Sequence, residues 1–380
     1  MSTRYGFVGT YPPTLCGLAS FTAALQAELV RPGDSACVVR LVESSAPGIA
    51  PAPIGATEIV ELLAGDPVSL RAAAAALSSC DTVVLQHEYG VYGGPDGDEV
   101  LDLLAAVTSP VIVVLHTVLT DPSPHQRDVL ERVARAAGAV VTMTETAAER
   151  LVGYDVDLRK VSVIPHGAPA ATAPEPRDPT RSGQRPRVLT WGLLGPGKGI
   201  EWAIEAMARL ADLRNPPEYV VAGQTHPEVL LDQGERYRES LQGRIDGLGL
   251  CHRVTLDGRY RDLEALRALV ATADVVLLPY DSTEQVTSGV LIEAVTARKP
   301  VVATRFPHAV ELLSGGAGLI VPQRDPVALA GAVRRLLSSS ALTDDMRRAS
   351  GATAPASLWS AVAERYRRLA ADLSASRAAA

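Results

Sequence analysis

The chain has 380 residues, 47% of them hydrophobic and 21% charged, with a formal net charge of −7. That length exceeds one ordinary hydrophobic core and suits two α/β domains, and the acidic balance speaks against a general nucleic-acid binder. No apolar run approaches the roughly 20 residues of a membrane span, and the four cysteines are scattered without a C-x-x-C pair, so neither a zinc site nor a disulfide framework is expected.

The first run, "YGFVG", reads as a buried strand; the amino terminus has no basic stretch before an apolar core, so a cytoplasmic setting is expected. "YPPTLCGLASFTAAL" (11–25) follows as a strand-exit loop, with Gly17 just before a helix. A glycine there either admits a ligand close to the backbone or simply opens a helix turn; both readings stand. "TVVLQ" (82–86), "PVIVVLH" (110–116), "AVVTM" (139–143) and "VSVIP" (161–165) are continuous apolar runs, as in a parallel sheet covered on both faces. The first of these ends in Gln86, His87, Glu88 and Tyr89, and the second in His116. Polar groups at the carboxyl ends of parallel strands face a ligand more often than the core, so these five are expected to bind substrate. No H-E-x-x-H pattern accompanies them, and no metal is expected. His166 and His226 fit a structural or a functional role equally well.

"GAPAATAPEPRDPTRSGQRP" (167–186) is too rich in Pro and polar residues to build a core and reads as a linker at 171–186. The alternation then resumes with "RVLTWG" (187–192), "EYVVAG" (218–223), "RVTLDG" (253–258), "DVVLLPY" (274–280), "KPVVAT" (299–304) and "GLIVP" (318–322). The expected domains are 1–170 and 187–354, with an amphipathic helix at 357–373 that packs back onto the first. The expected architecture is two Rossmann-like α/β domains facing each other across a ligand cleft at the strand carboxyl ends.

Two strand-to-helix junctions of the second half carry anion-binding chemistry. "WGLLGPGKGIEWAIEA" (191–206) holds Gly195, Gly197 and Lys198, and such a loop presents backbone N–H groups and one positive charge. It lacks the Walker spacing, and an ordinary glycine-rich turn remains the alternative. "TSGVLIE" (287–293) runs from Ser288 and Gly289 into a helix that carries Glu293 among apolar neighbours. Two helix N-termini of this kind form a diphosphate pocket, with Glu293 placed to accept hydrogen bonds from ribose hydroxyls.

Together these motifs resemble the retaining GT-B glycosyltransferases of family 4 over nearly the whole chain. "YPPTLCGLASFTAAL" resembles that family's amino-terminal glycine loop, "VIPHG" its V-I-P-N-G motif, and "WGLLGPGKG" its G-R-x-x-x-x-K-G loop. "QVTSGVLIEAVTARKPVVAT" resembles its E-x7-E donor motif, and "WSAVAERYRRL" its closing helix. Two positions depart: the loop Arg is Leu193, and the first Glu of the pair is Gln285, which hydrogen-bonds hydroxyls without a charge. The resemblance implies metal-independent transfer of a hexose from a nucleotide sugar, as a co-substrate and not a tightly bound cofactor, to a hydroxyl of a soluble glycan or small acceptor. It implies catalytic roles for His116, Lys198 and Glu293, and donor binding by Gly17, Gly195, Gly197, Lys198, Gln285, Ser288, Gly289 and Glu293. A retaining phosphorylase of the same fold and a non-catalytic nucleotide-sugar or glycan-binding protein are the alternatives.

Overall fold

The apolar runs become strands because each is buried on both faces by helices, so no polar alternation survives in their sequence. In a computed structural model, which describes residues 2–42, 57–170 and 185–379, the chain divides into two compact units. One comprises Met1–Gly167 with Trp359–Ala380, and the other Ala168–Leu358.

The first unit holds a seven-stranded parallel sheet of β1 (Arg4–Gly9), β2 (Ser35–Val42), β3 (Thr57–Leu63), β4 (Thr82–His87), β5 (Val111–Leu115), β6 (Ala139–Thr142) and β7 (Val161–Val163). Its order is β3-β2-β1-β4-β5-β6-β7. The sequence reading names no strand at β2 or β3. Arg40 interrupts the first, and the second is an edge strand whose TEIVELL pattern is half-exposed and polar. The helix Gly17–Leu29 and the closing helix Trp359–Ala379 cover one face of this sheet. Phe21, Leu25, Val362, Ala363 and Tyr366 share one core there with Phe7, Val84 and Ile112.

The second unit repeats the crossover pattern in six parallel strands. These are β8 (Arg187–Trp191), β9 (Glu218–Ala222), β10 (Val254–Asp257), β11 (Val275–Leu278), β12 (Val301–Thr304) and β13 (Gly318–Val321), in the order β10-β9-β8-β11-β12-β13. One face is covered by the helices Ile200–Ala208, Arg236–Gly247 and Pro326–Ser338, the other by Leu263–Thr272, Gly289–Thr296 and Pro307–Leu313. Residues 171–184 of the expected linker lie outside the described residues. Pro186 already belongs to the sheet region, since its carbonyl accepts from the Glu218 amide at 2.9 Å. Among the described residues no helix is long and apolar enough to cross a membrane.

The closing helix is part of the first core through Trp359, which is 9% exposed and meets the Phe21 ring edge-on at 5.1 Å. Trp359→Ala is expected to remove about 3 kcal/mol from the first unit, read as an earlier denaturant transition. An unchanged transition would contradict that placement.

Candidate functional site

In each sheet the strand order reverses between two neighbours, β1 and β4 in the first unit and β8 and β11 in the second. The loops leaving those strands diverge to opposite faces, which opens space at their carboxyl ends. Most of the sequence-predicted site residues of each unit lie at or after these ends, and His116 leaves the next strand, β5.

In the second unit the loop after β8 folds as a tight turn. The Lys198 amide donates to the Gly195 carbonyl at 3.2 Å, Pro196 takes the second position, and Gly197 has φ +88° at the third. That is a type II turn, which requires a positive φ where Gly197 stands. Gly199, at φ +63°, caps the next helix, and a Cβ there would lie 1.9 Å from the Pro279 carbonyl oxygen. The loop therefore sits directly on the exit of β11, where the Asp281 amide donates to the Gly197 carbonyl at 3.0 Å. This contact places Lys198 Nζ 4.5 Å from the centre of the Tyr280 ring. Burial lowers the Lys198 pKa below its ordinary value. The aromatic face returns part of the lost hydration.

The helix Gly289–Thr296 begins on the same edge, but its first amides are not all open. Ser288 caps it, its hydroxyl accepting from the Leu291 amide at 3.3 Å, and the Ser288 amide donates to His308 Nδ1 at 2.8 Å. This corrects the expectation that the Ser288 amide is available to a phosphate: an imidazole from the Pro307–Leu313 helix already takes it. Because Nδ1 accepts, the His308 ring is the neutral tautomer protonated at Nε2. Gly289 is then the residue whose amide leads the helix at this edge. Gln285, expected to reach a sugar, instead donates its side-chain amide to the Thr287 carbonyl within its own turn. Glu293 lies on the helix where Trp191 Nε1 donates to its Oε2 at 3.0 Å. Burial raises the Glu293 pKa, while the indole hydrogen bond and nearby Arg267 oppose the rise. Beside it is a cavity of about 50 Å³ also lined by Arg267 and Lys299, room for water and not for a sugar ring. Trp191, Tyr280 and His308 escaped the sequence reading, because a tryptophan, tyrosine or histidine at a strand exit carries no spacing signal of its own.

In the first unit the strand-end quartet divides. Gln86 and His87 are 0% and 1% exposed, which corrects the expectation that both open toward a substrate. β4 is paired on both sides, so its alternating side chains point into the two helix layers. His87 meets Tyr89 edge-on at 5.3 Å, and its Nδ1 has no hydrogen-bond partner among the described residues. The buried Tyr89 hydroxyl donates to the Gln126 carbonyl at 3.2 Å, an attachment that is structural. Glu88 is half-buried and accepts from the Thr117 hydroxyl at 2.7 Å. His116 follows β5, half-buried, with Nε2 2.7 Å from Gln86 Oε1 and its ring edge-on to Phe21 at 5.0 Å. Phe21 also meets His166, whose Nδ1 is 2.6 Å from the Gly167 carbonyl. Gly17 opens its helix in free space, where an added Cβ would meet nothing within 4 Å among the described residues, so none of these demands a glycine there. His226 caps the Pro227–Gln233 helix, accepting from the Glu228 amide at 3.3 Å, which gives it a structural role.

Burial depresses three imidazoles of the first unit, His87 and His166 to about 4 and His116 to about 3, from an ordinary 6.5. Below about pH 6.5 the unfolded chain therefore binds protons that the folded chain refuses, and stability falls as pH drops toward 4. A series of melting temperatures across that window is expected to decline with acidity, and His87→Gln is expected to flatten the decline. Identical slopes in the two proteins would contradict the burial of a neutral His87.

Residues 185–339 match the family described as glycosyl transferases group 1. Alpha-D-kanosaminyltransferase of Streptomyces kanamyceticus is 31% identical over 163 residues, a stretch that spans 43% of this chain and only 39% of that protein. The solved glycosyltransferase from Rickettsia africae ESF-5 aligns over 98% of both chains with a TM-score of 0.76 at 14% identity. Anabaena HepE, solved in complex with UDP and glucose, aligns over 97% of this chain and 100% of that one, with a TM-score of 0.75 at 17% identity. At such identities the structural likeness speaks for the fold. The second unit thus matches the glycosyl transferases group 1 family, and the two Rossmann-like units of the chain have the GT-B fold.

Proposed function

We propose that this protein is a retaining glycosyltransferase of family 4. It moves a hexose from a nucleoside diphosphate sugar to the hydroxyl of a soluble glycan or small acceptor, without a metal ion. The observation that carries this reading is the Lys198 ammonium, held over Tyr280 at 4.5 Å by the Gly195–Gly197 turn. The match of that same unit to glycosyl transferases group 1 supports it. The UDP and glucose bound by Anabaena HepE support a nucleotide sugar as donor.

As the bond to the leaving diphosphate breaks, negative charge grows on its bridging oxygen. Lys198 and the amides around Gly197 and Gly289 supply fixed positive potential for that charge, and the helix dipole behind Gly289 adds to it. A group already desolvated and in place needs no reorganisation when the charge develops, which makes one such donor worth about 3 kcal/mol. Glu293, oriented by the Trp191 indole, accepts from ribose hydroxyls. His116 contacts the donor sugar, and the departing phosphate oxygen takes the acceptor's proton, so no dedicated base is required. Glu88 and the exposed loops of the first unit hold the acceptor. A cytoplasmic setting, with no nucleic-acid or integral membrane partner, belongs to the same reading.

The test is a panel of UDP-, GDP- and ADP-sugars incubated with mixed sugar acceptors and chelator, with product anomers read by NMR. One donor is expected to turn over with retained configuration, and Lys198→Ala to slow it by about a hundredfold or more. An inverted product, or turnover only when inorganic phosphate is added, would contradict the proposal.

A further inference from the structure

We propose that Gln86 is a positioning residue for His116, fixing the imidazole in the tautomer that carries its proton on Nε2 and leaves Nδ1 as a hydrogen-bond acceptor. The catalytic consequence rests on the function proposed above; the tautomer itself does not.

The contact is short and confined. Gln86 Oε1 lies 2.7 Å from His116 Nε2, and an amide oxygen can only accept, so the imidazole must donate. A neutral ring that donates from Nε2 keeps its lone pair on Nδ1. The ring is neutral because burial holds its pKa down to about 3, with His166 and His87 adding to the depression.

Both partners are held from several sides. The Gln86 carbonyl accepts from the Tyr92 hydroxyl at 2.7 Å, and the His116 amide donates to the His87 carbonyl at 3.0 Å. On the neighbouring strand, Gly9 clears the path of the glutamine. A Cβ at Gly9 would stand 3.0 Å from Gln86 Cβ and 3.1 Å from Gln86 Cγ, and the φ of +154° there disfavours any other residue. Phe21 supports one edge of the imidazole, edge-on at 5.0 Å.

The choice of glutamine is otherwise costly. Gln86 is fully buried and its Nε2 has no hydrogen-bond partner among the described residues, an arrangement that an apolar residue of the same length would avoid. A buried amide with one satisfied end is explained if that end does something for His116. With Nδ1 bare, His116 accepts a hydrogen bond from a donor-sugar hydroxyl and takes no part as an acid.

Long-range ¹H–¹⁵N correlation spectra of wild type, Gln86→Met and Gln86→Glu, with turnover of each, test this. Wild type is expected to show the Nε2-protonated pattern for His116. Gln86→Met should show mixed tautomers, with kcat lowered by about tenfold or more and the donor KM changed less. Gln86→Glu should keep the tautomer, restore part of kcat and move the His116 titration upward, which adds a limb to the pH profile. Gln86→Met with an unaltered tautomer pattern would overturn the proposal, as would Gln86→Glu without the Nε2-protonated pattern. Should Gln86→Met fail to fold, the Gln86→Glu spectrum and titration decide alone. Absence of turnover in wild type would count against the proposed function, while the spectra would still decide the tautomer.

Discussion

The backbone of Gly199 lies so close to the Pro279 carbonyl that any Cβ would stand 1.9 Å from the oxygen, and the second unit's site is built on that approach. It seats the turn after β8 on the exit of β11, two strands that are neighbours in the sheet. The Asp281 amide can then reach the Gly197 carbonyl, and Lys198 extends over the Tyr280 ring. Tyr280 in turn packs against Phe306, 5.0 Å away between ring centres, which supports the face under the ammonium. Asp281 itself pairs with Arg324 at 3.2 Å. A backbone contact thus determines where a charge stands, and the charge determines what the site can stabilise.

Burial sets the chemistry of both units in the same way. Lys198 and the three imidazoles of the first unit have lowered pKa values, and Glu293 and Tyr280 have raised ones, with burial as the leading cause each time. These groups are already partly removed from water, so less solvent must reorganise when a charge develops beside them. The hydrogen bonds that accompany burial are directional. Trp191 fixes the Glu293 carboxylate, Ser288 fixes the His308 tautomer, and Gln86 meets His116.

Much of this was legible in the sequence where a residue's type constrains its backbone. The strands of the second half read directly, because continuous β-branched runs have one common fate in a parallel sheet. The Gly-Pro-Gly-Lys stretch was legible as a glycine-rich connection between a strand and a helix, and the positive φ at Gly197 gives the physical reason for a glycine there. The reading was weaker where direction matters. Gln86 and His87 stand next to each other in sequence, yet the strand alternation sends them to opposite faces, and the double pairing of β4 buries both. Ser288 looked like an open helix terminus until His308, twenty residues on, was seen to take its amide. Such pairings depend on which strands become neighbours, and local pattern does not carry that information. The edge strand β3 was missed for the converse reason, as its exposure lets charged residues break the apolar run.

The measurement closest to the central claim is calorimetric titration of the protein with UDP, GDP and ADP, beside Lys198→Ala and Glu293→Ala. One nucleoside diphosphate is expected to bind in the micromolar range, with Lys198→Ala weakening binding through the diphosphate and Glu293→Ala through the ribose. Binding of none of the three, or binding that both variants leave intact, would contradict a nucleotide-sugar site at the carboxyl ends of β8 and β11.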